Sequence, residues 1–258
     1  MKCLEQEPSD KTAETLLLCS DKPDAVVTKN ASFNNSRTID MEKAVFKVIT
    51  QSLQIYKPVE IMLSFNGGKD CTVVLHILAK YFQQECLKNF KIPALYIQDL
   101  NSFEEVDDFV ESSKTLYNIE LIKRTGRIKE VLFDITNEMP HIKAIFMGCR
   151  RTDPFCGEIK VMQPCDFNWP AIMRINPIID WKCVDVWNYL KSNYVPYCSL
   201  YDLGYTSIGN KNNTIPNPHL KIYGASSMRK KYRPAYELED DEYDSLERAG
   251  RFGFSKTC

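Results

Sequence analysis

The chain has 258 residues, 44% of them hydrophobic, with 33 Lys and Arg against 34 Asp and Glu and a formal net charge of −1. That length suits one large domain or two small ones with a sizeable core. A balanced charge without long basic blocks argues against a nucleic-acid binder, and the lack of any apolar run of about 18 residues argues against a membrane-spanning helix.

The N-terminus lacks the charged-then-apolar pattern of a secretory signal. Ten cysteines occur without a CxxC pair, and several lie in apolar segments. Buried free thiols in a reducing cytoplasm are therefore expected rather than disulfides or a zinc site. Only three histidines are present and none forms HExxH, which excludes the usual zinc protease pattern.

Residues 1 to 38 are polar and aperiodic and read as a flexible arm. From Asp40 onward, Met41, Ala44, Val45, Val48, Ile49 and Leu53 recur at helical spacing. Strands and helices then alternate: strand 59–65, helix 72–88, strand 92–98, helix 103–116, strand 119–123, helix 128–138, strand 144–148 and a strand within 174–179. This alternation predicts an α/β fold, a Rossmann-like, mostly parallel sheet with helices on both faces. Ligands of such folds sit outside the carboxyl ends of the strands, so Asn66, Asp99 and Arg150 should converge on one crevice. Residues 150–172 show no periodicity, 181–192 form a helix, and 196–236 are rich in Pro, Gly, Asn and Tyr. An acidic run from Glu237 to Asp244 precedes Arg248 and Arg251. A loop as long as 150–172 in a compact domain points to function.

The stretch Leu63-Ser64-Phe65-Asn66-Gly67-Gly68-Lys69-Asp70-Cys71-Thr72 is the most specific feature. A strand, a glycine turn and a helix N-terminus present unpaired backbone N–H groups and a helix dipole to an anion. Gly67 and Gly68 let the backbone approach phosphate oxygens, and Lys69 adds positive charge. Neither GxxxxGK[ST] nor GxGxxG is present. The turn looks like the pyrophosphatase-type loop that clasps the pyrophosphate part of ATP, with two departures: Asn66 replaces a Ser, and Cys71 replaces the Ser that follows Asp.

Gly148-Cys149-Arg150-Arg151-Thr152-Asp153-Pro154 follows a buried-looking strand. Its arginines suit bidentate phosphate binding or a plain surface turn. Asp166-Phe167-Asn168-Trp169-Pro170 and Arg174 to Trp181 combine aromatic, Asp and Arg residues, as a planar ligand site or as bulky core. Tyr201 to Gly209 forms an aromatic loop, and Arg248 and Arg251 fall on one face of a helical turn, as a solvated pair or a ligand clamp.

Taken in order from about residue 40 to 251, these segments resemble the eukaryotic FAD synthetase family, the FMN adenylyltransferases with a phosphoadenylylsulfate-reductase-like fold. The resemblance implies the PP-loop, adenine nucleotide alpha-hydrolase-like version of the sheet, with a flavin-binding C-terminal extension. It implies one domain over 39–258, with a core over 39–180 and a flavin-binding subregion over 150–258; residues 1–38 are too short for the extra domain of multidomain members. It also implies AMP transfer from ATP to FMN, giving FAD and pyrophosphate, with Mg²⁺ on the ATP.

By the same resemblance, Asn66, Gly67, Gly68 and Lys69 hold the β- and γ-phosphates of ATP, Asp70 orients that loop or the nucleotide, and Ser64 belongs to the implied cofactor-binding set. Ile97 and Asp99 lie by the adenine or ribose, Arg150 binds phosphate, and Gly148 and Asp153 belong to the implied cofactor-binding set. Asp166, Trp169, Trp181 and Trp187 shape the flavin site with Arg174; Ile179, Asp180 and Tyr201 belong to the implied cofactor-binding set, and Arg248 and Arg251 close over the reacting phosphates. Asn66, Asp70, Arg150, Asp166, Arg248 and Arg251 form the implied catalytic set. A cytoplasmic monomer that passes FAD to apo-flavoproteins, with no nucleic-acid or membrane partner, is expected. The alternatives are a phosphoadenylylsulfate reductase relative, which needs a reactive cysteine such as Cys258, a binding module without catalysis, and a tRNA-thiolating or amide-forming ATP pyrophosphatase that activates a different acceptor from the same loop.

Overall fold

The structure is a computed structural model that describes residues 35–85, 87, 90–222, 231–238 and 243–252. Residues 1–34 of the expected arm, Cys258 and part of the acidic run lie outside the described residues. Helix α1 spans Asn35–Ile55 and starts inside the stretch that reads as an arm. Its first turn is held by a distant partner: Arg37 donates to both carboxylate oxygens of Asp185 at 2.9 and 3.1 Å. A contact across that sequence separation leaves no local pattern.

Strand β1 (Ile61–Ser64) is followed by α2 (Lys69–Gln84), β2 (Pro93–Gln98), α3 (Glu104–Leu116), β3 (Glu120–Thr125), α4 (Ile128–Glu138) and β4 (Ala144–Phe146). Next come β5 (Met162–Pro164), β6 (Met173–Ile175), α5 (Cys183–Ser192) and the short α6 (Tyr243–Leu246). The six-stranded sheet has the order β3-β2-β1-β4-β6-β5. Every pairing is parallel except that of β5 with β6.

Strand β5, like the short α6, is an element that the periodicity does not announce. It is three residues long, and its proline removes a donor, which an edge strand tolerates. Helix α2 starts at Lys69, three residues earlier than the apolar spacing suggests, because the glycine turn ends immediately before it.

The central strands are buried on both faces, as parallel strands are. Ile61, Leu63, Phe65, Ala94, Tyr96, Ala144 and Phe146 point to one cluster with α1, α2, α3 and α5. Met62, Leu95 and Ile145 point to the other, against Val131, Leu132 and Ile135 of α4. This two-sided burial fixes β1 and β4 side by side in register, Ile61 with Ala144 through Leu63 with Phe146. The turns that leave both strands therefore open at the same place, the carboxyl edge of the sheet.

Candidate active site

The turn after β1 is built for close approach. Gly67 has φ +72°, and an added Cβ would lie 3.0 Å from a Val110 methyl. Gly68 caps α2 without a side-chain hydrogen bond. The helix N-terminus is instead met from across the cleft: the Lys69 amide donates to the Tyr201 hydroxyl at 2.8 Å.

The two departures from the usual loop turn out to be partners. The Asn66 side-chain oxygen accepts from the Gly68 amide at 3.0 Å and from the Cys71 thiol at 2.9 Å. The Asn66 amide in turn donates to Cys71 Sγ at 3.4 Å. With its oxygen engaged on two donors, Asn66 has its NH₂ group left for the cavity it lines. Burial pushes the Cys71 thiol up to about 12, so it stays protonated and donating.

Around this turn lie three cavities that share residues. The central one, about 260 Å³, is lined by Ser64, Asn66, Gly68, Lys69, Asp70, Gly148, Asp153, Tyr201, Ser207, Arg248 and Arg251 among others. A second, about 230 Å³, adds Gly67, Tyr96, Ile97, Asp99, Ser102 and Asn210, and shares Asn66, Gly68 and Arg251 with the first. A third, about 120 Å³, is mainly apolar, with Leu95, Ile97, Leu132, Ile145 and Trp169 beside Asp166 and Arg174. It shares Ser64 and Met147 with the central cavity. Arg174 donates to Asp166 at 3.3 Å, and Lys129 lies 5.9 Å from the centre of the Trp169 ring. A larger cavity, about 530 Å³, opens behind α2 at His76 and Tyr117 and contains none of the expected site residues.

The charges are arranged differently from what local sequence suggests. Arg150, expected at a phosphate, has a fully buried side chain (0% exposed). Its Nε lies 2.7 Å from Asp70, Nη1 lies 3.1 Å from Asp244 and Nη2 lies 2.5 Å from Glu247. Lys69, 2% exposed, pairs with Asp70 at 2.9 Å and with Glu247. Burial works against the Lys69 ammonium, but Asp70 and Glu247 outweigh it and raise its pKa well above the ordinary value. Burial also pushes the Asp70 carboxyl up, yet Lys69 and Arg150 win and hold it below the usual range.

Besides Lys69, the cleft beside the glycine turn is lined by Arg248 and Arg251, each with a guanidinium nitrogen 3.4 Å from Ser207 Oγ. Burial and the neighbouring Arg248 charge lower Arg251 to about 10, so it remains cationic at neutral pH, and an anion placed between the two guanidiniums would relieve their repulsion. Gly209 makes the room: an added Cβ would sit 2.5 Å from Arg251 Nη2.

Several expected residues do not reach the cleft. Trp181 and Trp187 are core aromatics; Trp187 packs at 5.2 Å from both Tyr197 and Tyr201. Ile179 is buried, and Asp180 sits at the surface paired with Arg151 at 2.5 Å. Conversely, Glu247 and Met147 carry no local signal that marks them, and Asp244 and Ser207 lie in an acidic run and an aromatic loop without being singled out there, yet all four complete the site.

Residues 60–216 match the phosphoadenosine phosphosulfate reductase domain family. A probable FAD synthase of Schizosaccharomyces pombe is 39% identical over 210 residues, covering 80% of this chain and 76% of that protein. A probable FAD synthase of Caenorhabditis elegans is 35% identical over 222 residues, covering 86% of this chain but 43% of that protein. The crystal structure of Candida glabrata FMN adenylyltransferase with FMN and an ATP analogue superposes with a TM-score of 0.77 at 26% identity, covering 88% of this chain and 93% of that one. A glycine turn at the carboxyl edge of a parallel sheet, an arginine pair facing it and an identity of 39% along most of the chain lead to one assignment: this chain belongs to the phosphoadenosine phosphosulfate reductase domain family and, within it, to the FAD synthases.

Proposed function

We propose that this chain is an FMN adenylyltransferase that joins ATP and FMN into FAD and pyrophosphate. The observation that carries the reading is the central cavity, which brings the Asn66–Gly68 turn, Arg248 and Arg251 together and shares lining residues with each of two further cavities. A reaction that joins two nucleotides through their phosphates needs that layout. Ring systems lie at the flanks, and phosphorus is exchanged in the middle.

An FMN phosphate oxygen attacks the α-phosphorus of ATP. The new O–Pα bond forms as the Pα–O bond to the β-phosphate breaks, and pyrophosphate leaves. The phosphate monoester is largely a dianion at neutral pH, so no base has to remove a proton. What the protein supplies is position and charge complementarity. The α2 N-terminus and the Asn66 amide hold the departing pyrophosphate, and Arg248 and Arg251 cover the charge that builds on the reacting oxygens. The apolar cavity at Trp169, with Asp166 and Arg174 at its rim, takes the flavin ring, and the cavity at Ile97 and Asp99 takes the adenosine.

Asp70 and Asp153 line the central cavity at 20% and 26% exposure. Burial and the Asp70 charge raise the Asp153 carboxyl above its ordinary pKa, although Arg150 Nη2 lies 3.8 Å away and the Arg150 amide donates to it at 2.9 Å. These two carboxylates fit a hard, oxygen-seeking ion, and they would hold the Mg²⁺ that accompanies ATP. Bound there, the ion would neutralise phosphate charge.

The test is incubation of the purified protein with FMN, ATP and Mg²⁺ and separation of the flavins. FAD appearing in step with pyrophosphate is expected, with none formed from riboflavin. ATP consumption without FAD would overturn the reading. Asn66→Ala and Arg251→Ala should each lower turnover at least about tenfold, or about 1.4 kcal/mol of barrier.

A further inference from the structure

Glu247 lies next to Arg248 and four residues before Arg251, and neither its spacing nor its neighbours mark it in the sequence. Its side chain is 6% exposed. One carboxylate oxygen takes the Lys69 ammonium, and the other takes Arg150 Nη2 at 2.5 Å. Its backbone carbonyl accepts from the Thr206 hydroxyl at 2.6 Å. Asn217 supports both sides of that contact, donating to Thr206 Oγ1 at 2.9 Å and to the Leu246 carbonyl at 2.8 Å. The segment is tied again between the arginines, with the Ile215 amide on the Gly250 carbonyl at 2.9 Å, and after them, with the Phe252 amide on the Asn213 carbonyl at 3.1 Å. The stretch that bears Arg248 and Arg251 is thus anchored before and after them. Its anchor on the phosphate loop is Glu247.

A buried carboxylate beside a polyanion site works against the ligand. A buried ion pair is also a poor source of net stability compared with apolar packing. A carboxylate in that place therefore needs a geometric use. Lys69 is the residue directly after the Gly68 cap, so a bond to its ammonium fixes the C-terminal segment against the start of α2.

We infer that Glu247 is a positioning residue for adenylyl transfer: it draws Lys69 and Arg150 into a protein ion cluster and thereby sets Arg248 and Arg251 over the Asn66–Gly68 turn. The inference rests on the adenylyltransferase reading. The lysine of the loop then serves as an anchor, and the arginines of a distant segment serve as the phosphate cations.

The experiment is a double-mutant cycle between Glu247→Gln and Arg251→Ala, with kcat and KM measured for ATP and FMN, and Glu247→Asp as the conservative control. In the otherwise native protein, Glu247→Gln should lower kcat at least about tenfold with KM for FMN changed by less than about threefold, and Glu247→Asp should recover part of the loss. In the Arg251→Ala background the same change should cost less than about threefold, because the residue it positions is gone. A native kcat in folded Glu247→Gln, or an equal loss in both backgrounds, overturns the inference.

Thr206→Val loosens the same segment without touching a charge and gives the same cycle if Glu247→Gln does not fold; an Arg251-independent effect there is equally fatal. Should the native protein form no FAD, the adenylyltransferase reading fails by itself. The cycle is then read on the Kd of a nonhydrolysable ATP analogue, where Glu247→Gln should weaken binding at least about fivefold only while Arg251 is present.

Discussion

Two glycine-bearing turns leave neighbouring parallel strands at the same edge of the sheet, and they use their charges in opposite ways. The turn after β1 keeps Asn66 and the α2 N-terminus facing the cavity. The turn after β4 sends Arg150 inward, to a cluster with Asp70, Asp244 and Glu247, while its backbone and Asp153 stay at the cleft. Location at a strand end is therefore not enough to make a cation a phosphate ligand. What decides is whether carboxylates reach it from elsewhere in the chain first. Here two of them come from a segment some 95 residues downstream, since Arg150 is separated from Asp244 by 94 positions and from Glu247 by 97.

The contrast is broken most severely by Arg150→Ala. It strands the four carboxylates of Asp70, Asp153, Asp244 and Glu247, so unfolding free energy should fall by about 3–5 kcal/mol. Denaturant titration measures this, and a loss below about 1 kcal/mol would mean that the cluster contributes little to folding. Next comes Gly148→Ala. An added Cβ would lie 2.6 Å from the Cys71 amide nitrogen and 2.8 Å from the Asp70 carbonyl carbon, both backbone atoms of the first turn of α2. Because backbone must shift, about 2–3 kcal/mol of destabilisation is expected, together with loss of turnover as the helix start moves.

Asn66→Ala sharpens the contrast from the other side. Turnover should drop at least about tenfold while stability changes by less than about 1 kcal/mol, since the side chain holds a turn and not a core. The opposite partition, stability lost and turnover kept, would exchange the roles of the two turns.

Acid unfolding distinguishes them further. Asp70 has a folded pKa below its ordinary value through Lys69 and Arg150, so its contribution is present above the unfolded value near 3.8 and is lost as pH falls through the folded one. Removing Arg150 should flatten that acid limb of the stability curve. The smallest effect belongs to Arg151→Ala. Its pair with Asp180 is at the surface, and less than about 1 kcal/mol should be lost. A cost as large as that of Arg150 would deny that burial separates the two adjacent arginines.

Much of the fold is legible locally. The helix ranges 103–116 and 128–138 and the strand 92–98 come within a residue of the observed elements, because each has a strong apolar period and clear ends. The first turn of α1 and the strand β5 are not legible, since one is made by the distant Asp185 and the other by an edge pairing with β6. In the site, the glycine turn is legible because its backbone demands particular residues. The aromatic residues divide unpredictably: Trp169 lines a cavity, whereas Trp181 and Trp187 fill the core, and a bulky ring suits either use.

By itself, then, the sequence determined the parallel sheet, the phosphate turn after β1 and the presence of an arginine pair near the C-terminus. Each follows from periodicity, glycine content or spacing within a few residues. Tertiary structure alone decided which cations sit inside an ion cluster and which sit beside the hydroxyl that lines the cleft. Lys69 and Arg150 are spent on Glu247, Asp70 and Asp244, and Arg248 and Arg251 are presented beside Ser207. Electrostatic pairing depends on distance in space, and the chain order of a charged residue carries almost none of that information.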